Sequence, residues 1–105
     1  MLADAIQGAR RPGQTIAWTD KGGRPFSLVG ATISARIRNQ ATGEVRASDG
    51  SFDIIDAVNG MFVWNYSEAD VSEAGVFEVQ FTATFGAGLS PARTFVEEWR
   101  VVRSL

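Results

Sequence analysis

The sequence predicts an all-β chain folded as an antiparallel sandwich of about seven short strands, and three observations carry that reading. Apolar and polar residues alternate with period two across residues 31–39 and 76–85, the signature of strands with one buried and one solvated face. Glycine and asparagine turns recur at intervals near ten residues, the spacing of a sandwich. No stretch holds a helical repeat long enough to be stable by itself.

The first element is an extension. Residues 2–9 have room for a short helix or an ordered arm, which Gly8, Pro12 and Gly13 bring to an end. Residues 1–13 are therefore read as an N-terminal arm and 14–105 as the sandwich domain. Residues 14–18 form a short strand, Thr19-Asp20-Lys21-Gly22-Gly23 reverses it as a polar hairpin turn, and residues 24–28 return. In residues 31–39, Ile33, Ala35 and Ile37 face one way and Thr32, Ser34, Arg36 and Arg38 the other. Turns at Asn39-Gln40-Ala41-Thr42-Gly43 and Ser48-Asp49-Gly50 bound two short strands, residues 44–47 and 52–55.

Residues 59–85 give the firmest reading. Asn59-Gly60 signals a type I′ hairpin, because both residues tolerate positive φ. In the strand that follows, Phe62, Trp64 and Tyr66 share one face, yet Met61 and Val63 make the second face apolar too. Either another layer of this chain or a partner must cover that second face. Residues 67–75 are too short for an independent helix and suit a single helical turn ending at Gly75. Next, Phe77, Val79, Phe81, Ala83 and Phe85 alternate with Glu78, Gln80, Thr82 and Thr84. Gly86-Ala87-Gly88 turns the chain, and residues 94–102 close the fold with Trp99 and Val101 on one face. Strands of this number and spacing point to immunoglobulin-like topology.

Composition narrows the function. At 105 residues, with 45% hydrophobic and 21% charged, the chain is one domain, too apolar for disorder and too interrupted by charge to span a membrane. Cysteine and histidine are both absent. That excludes disulfides, thiolate nucleophiles, Ser/His/Asp hydrolysis and histidine-ligated zinc. The first 14 residues hold no basic leader followed by an apolar run, so a secretory signal is not expected. Charge is polarised: residues 1–46 carry seven basic and three acidic side chains, residues 47–105 three basic and nine acidic. Complementary ends of this kind can orient head-to-tail contacts between copies.

A resemblance adds to these readings. The stretch Asp20-Lys21-Gly22-Gly23-Arg24-Pro25-Phe26-Ser27-Leu28-Val29-Gly30-Ala31, an alternating strand, a glycine-rich hairpin, Trp64, Asp70 and Ala74-Gly75-Val76-Phe77 together resemble small domains of tailed bacteriophages. The layout is similar to the N-terminal domain of baseplate upper proteins, in which a D-x-x-G-x-P-x-x-L-x-G-A stretch precedes one strand and a D…A-G-x-[YF] corner another. The resemblance covers residues 14–102. Baseplate upper proteins continue into long helices, whereas this sequence ends at Leu105, so the resemblance implies a small virion component: a head decoration, fibre-attachment or tail or baseplate accessory protein.

Asp49, Asp53, Asp56 and Asp70 form no calcium-loop motif, and pairs drawn from Asp53, Glu68, Asp70 and Glu78 are what twelve acidic residues produce by chance. Gly86-Ala87-Gly88 lacks the lysine and helix of a phosphate loop. Asn65-Tyr66-Ser67 fits a glycosylation sequon inside a strand, where chance explains it. An acidic domain, pI about 5.0, argues against nucleic acid. The expectation is thus a non-enzymatic virion protein without cofactor, metal, small-molecule substrate or membrane, made in the host cytoplasm and contacting other virion proteins and copies of itself. Its expected interface residues are Arg10 and Arg11 on the arm, Arg36 and Arg38 on one strand, and Met61 and Val63 on another. The alternative is an adhesion or carbohydrate-binding sandwich, which needs Trp18, Trp99 or Tyr66 exposed on a flat platform.

Overall fold

The alternating segments build two sheets that face each other. The structure, a computed structural model, describes residues 2–86, 89–94 and 96–104. Its strands are β1 (Ala5–Ile6), β2 (Gln14–Ala17), β3 (Thr32–Asn39), β4 (Val45–Ala47), β5 (Ser51–Asp56), β6 (Met61–Asn65), β7 (Gly75–Thr84), β8 (Ala92–Arg93) and β9 (Glu97–Val102). One sheet runs β1-β9-β7-β3-β4, with β8 also on β7; the other runs β2-β6-β5. The long strand β7 is served twice along one side, by β9 at residues 75–79 and by β8 at residues 82–83.

Inward residues of both sheets meet in an aromatic core. Phe62, Trp64, Phe81 and Trp99 are fully buried, with Leu28, Val71 and Val79 around them. The Phe81 ring stands edge-on to Phe62 at 5.3 Å and to Trp64 at 5.6 Å, the geometry that places a positive ring edge on a negative face. Ile33, Ala35 and Ile37 on β3 and Phe77, Val79, Phe81 and Ala83 on β7 are all buried, as their alternation demands. The all-β sandwich is thus the fold, and the 3-10 turn Ala69–Val71 supplies the single helical turn ahead of β7.

Four local expectations are corrected. Of the two expectations for residues 2–9, a short helix or an ordered arm, the helix is not formed: β1 pairs with β9, Ala5 opposite Val101, in a parallel pair within otherwise antiparallel sheets. Leu2 and Ala5 enter the core, and Gln14 clamps the segment, its Oε1 accepting from Ala3 N at 2.5 Å and its Nε2 donating to Ala3 O at 3.2 Å. The edge of β9 offered unpaired backbone groups and a hydrophobic gap, and a two-residue strand is too short to show alternation in sequence.

Asn59-Gly60 is not a type I′ turn, since among these two only Gly60 has positive φ, +69°. Asp56 pairs with Met61 and leaves a four-residue loop, whose Asn59 donates from N and Nδ2 to the Asp56 carboxylate at 3.3 and 2.8 Å. Packing forces this: Gly60 O accepts from Trp18 N at 2.8 Å, and a Cβ on Gly60 would lie 2.4 Å from Phe26 O. The return at residues 24–28 shrinks to one bridge, Thr19 to Pro25, because Pro25 has no N–H for a ladder and Asp20 Oδ1 holds Gly22 N and Arg24 N at 2.8 and 3.0 Å. The closing strand β9 begins at Glu97 rather than at residue 94, and Ala92–Arg93 ahead of it pair separately with β7 as β8.

Candidate functional site

The six expected interface residues fall on three separate regions. Arg36 and Arg38 project from the outer face of the first sheet, because their β3 neighbours Ala35 and Ile37 point inward. Cross-strand register sets Arg38 opposite Glu78 and Glu78 opposite Glu98. Two like charges opposite each other are unfavourable, and each is met by an arginine: Arg38 Nε donates to Glu78 Oε1 at 2.8 Å, and Arg100 Nε lies 3.4 Å from Glu98 Oε1. Arg36 sits between Ala47 and Gln80 and has no ion-pair partner among the described residues. With half-exposed Val45 and Val96 it lines a shallow depression.

Met61 and Val63 lie on the outer face of the second sheet, the opposite side of the sandwich. Val63 is flanked in register by Thr15 on β2 and Asp53 on β5, and Met61 by Ala17 and Asp56. Ile55 adds an exposed side chain on the same strand as Asp53. Met61 and Val63 are half-buried by these sheet neighbours, and no further layer of the described chain covers them. Among the described residues, then, this chain does not supply the cover.

Arg10 and Arg11 lie in the connection that carries the chain from the first sheet to the second. Arg10 Nε donates to Tyr66 O at 3.3 Å, while Arg11 is exposed. Beneath them Gln14 Nε2 donates to the Tyr66 hydroxyl at 2.9 Å in a buried contact. Burial raises the Tyr66 pKa above its usual 10.0, with the Gln14 bond and the neighbouring Trp99 indole pulling the other way. Trp99 Nε1 itself meets no acceptor in hydrogen-bonding geometry among the described residues.

Sequence reasoning missed the role of Asp70. Its carboxylate is buried and receives three donors: Arg46 Nη1 at 2.9 Å on Oδ1, Ser48 Oγ at 2.7 Å and Ser67 N at 2.9 Å on Oδ2. Ser48 Oγ also accepts from Trp64 Nε1 at 3.3 Å and Gly50 N at 3.0 Å. The network joins β4, the loop before β5, β6 and the corner before β7, and a guanidinium already occupies the position a cation would take at Asp70. The signal was available, since Arg46 and Ser48 stand two apart and so share a side of one extended segment.

The platform required by the alternative reading is not formed, because Trp18, Tyr66 and Trp99 are all buried, at 6%, 5% and 0% exposure. No group of three or more His, Cys, Asp or Glu side chains suited to a metal ion occurs among the described residues. No helix of the described residues is long and apolar enough to cross a membrane. What the surface offers is two opposite faces of unlike chemistry, one ion-paired and arginine-bearing, the other apolar with an acidic margin. No protein-family model matches the chain, and a search of curated proteins finds no match to it.

Proposed function

We propose that this chain is a non-enzymatic structural component of a tailed-bacteriophage particle, joining neighbours through both faces of its sandwich. The observation that carries the reading is the apolar centre Met61–Val63 left uncovered on one face while Arg36 stands without an ion-pair partner, among the described residues, on the other. A thin domain with two unlike exposed faces is suited to link two different neighbours, or two copies head to tail. The resemblance of residues 14–102 to phage domains gives the setting, with head decoration, fibre attachment and tail or baseplate accessory as its forms.

Connectivity supports an immunoglobulin-like assignment within this reading. The order β4-β3-β7-β9 against β2-β6-β5 follows the arrangement in which strands C′, C, F and G oppose B, E and D. The domain departs from that type in lacking cysteine and in placing its two fully buried tryptophans, Trp64 and Trp99, on β6 and β9.

The test is incorporation. Particles made with the wild-type chain, Val63→Asp or Arg36→Glu are purified and their protein content measured by mass spectrometry. The reading expects both variants to fold and at least one to be lost from particles. A wild-type chain absent from purified particles would overturn it.

A further inference from the structure

Five of the described strands lie at sheet edges, and they are not equally guarded. In the first sheet the edges are β1 and β8, two residues long each, and β4, three residues long with Arg46 drawn inward to Asp70. Short edges of this kind resist pairing with other chains. In the second sheet the edges are β2, four residues, and β5, six residues.

Both longer edges have backbone groups to offer. Trp18 N donates to Gly60 O, so antiparallel alternation turns Ile16 and Gln14 toward β6 and the N–H and C=O of Thr15 and Ala17 to the open side. The same alternation carried across β6 turns the backbone groups of Phe52 and Ile54 outward from β5. An open groove of about 490 Å³ runs past Ile16, Ala17 and Trp18, so the β2 edge is accessible. The irregularity in β5 falls between Ile54 and Asp56 and leaves residues 51–54 regular.

The two edges are also opposite in charge. Exposed Arg11 precedes β2, and exposed Lys21 and Arg24 follow it, all without an ion-pair partner among the described residues. The carboxylate beside them, Asp20, is held by its own turn. Exposed Asp49 precedes β5, and exposed Asp53 lies within it.

We infer that the second sheet continues from copy to copy, the β2 edge of one chain pairing with the β5 edge of the next. This rests on the reading that the chain works through subunit contacts, and it names the partner as a second copy. β2 and β5 both run antiparallel to β6, so copies in the same orientation join through a parallel pair. The contact is head to tail, and its repetition lays the Met61–Val63 stripes of successive copies side by side.

The experiment is sedimentation velocity on the purified full chain over a concentration series, with circular dichroism to check folding. The wild type should associate with rising concentration at low salt, and less in 1 M salt, where the screening length falls to about 3 Å. Two charge-reversal variants, Arg11→Glu/Lys21→Glu and Asp49→Lys/Asp53→Lys, should each stay monomeric alone and associate when mixed, since each edge then meets its opposite. Ala17→Pro removes an outward N–H and should weaken association by about tenfold or more. A monomeric wild type at every concentration, or mixed variants that remain apart, would overturn the edge pairing. Either result leaves incorporation into particles, measured separately, free to stand through other virion proteins.

Discussion

Arg46 Nη1 donates to Asp70 Oδ1 across 2.9 Å, with the guanidinium 39% exposed and the carboxylate fully buried. The contact ties an edge strand of the first sheet to the corner that launches β7, the strand at its centre. Removing the carboxylate strands the Ser67 N–H and the Ser48 hydroxyl as well as the arginine. Asp70→Ala should cost about 3 kcal/mol in urea unfolding. Arg46→Ala should cost less, about 1–2 kcal/mol, since two donors remain on Asp70. Equal losses for the two would contradict the network.

Gly60 and Gly30 separate backbone strain from close packing. Both have positive φ, +69° and +77°. At Gly60 a Cβ would also press on Phe26 O and Trp18 O, whereas at Gly30 nothing lies within 4 Å. Gly30→Ala should cost about 1 kcal/mol and Gly60→Ala at least twice that. Thermal unfolding of the pair checks the difference.

Leu2 tests whether the N-terminal segment belongs to the domain. It is 6% exposed, and its neighbour Ala5 sits in β1. Leu2→Ala should destabilise by about 2–3 kcal/mol, while exposed Arg11→Ala should stay within about 0.5 kcal/mol. If both are neutral, the segment does not contribute to the core.

Tyr66 should make stability fall in alkali. Its phenol pKa is raised in the fold, chiefly by burial. The unfolded chain therefore loses this proton first as pH rises past about 10, and stability falls from there until the folded phenol also ionises. Below pH 10 the contribution is fully present. Tyr66→Phe should lose about 1 kcal/mol at neutral pH with its Gln14 bond and show a shallower decline above pH 10. An unchanged alkaline profile would argue against a phenol kept neutral by burial.

Long strands were legible in the sequence, and short or packed elements were not. β3 and β7 repeat their alternation often enough to fix both strand and inward face. β1 has two residues, and nothing in Ala5-Ile6 alone announces a partner at Val101. At Asn59-Gly60 local preference favoured one turn, and contacts with Trp18 and Phe26, more than thirty residues away, imposed another. For the surfaces, the outward direction of Arg36 and Arg38 and the shared second face of Met61 and Val63 followed from period two, whereas what covers that face did not. Their placement on opposite sides of the sandwich depended on which sheet each strand joined, and Asp70 was only partly legible: Arg46 and Ser48 share a side of one segment, but nothing local brings that segment against the Ser67–Asp70 corner.

The parallel pair between β1 and β9 has a consequence for how the molecule is made. Ala5 and Val101 are paired across nearly the full length of the domain, so every strand between them must be synthesised before they meet. Closing so large a loop is entropically costly, and two residues of strand give little in return until the surrounding sheet exists. During synthesis Leu2 and Ala5 therefore remain uncovered while β3 and β7 are already able to pair. The domain completes itself only when its last strand arrives.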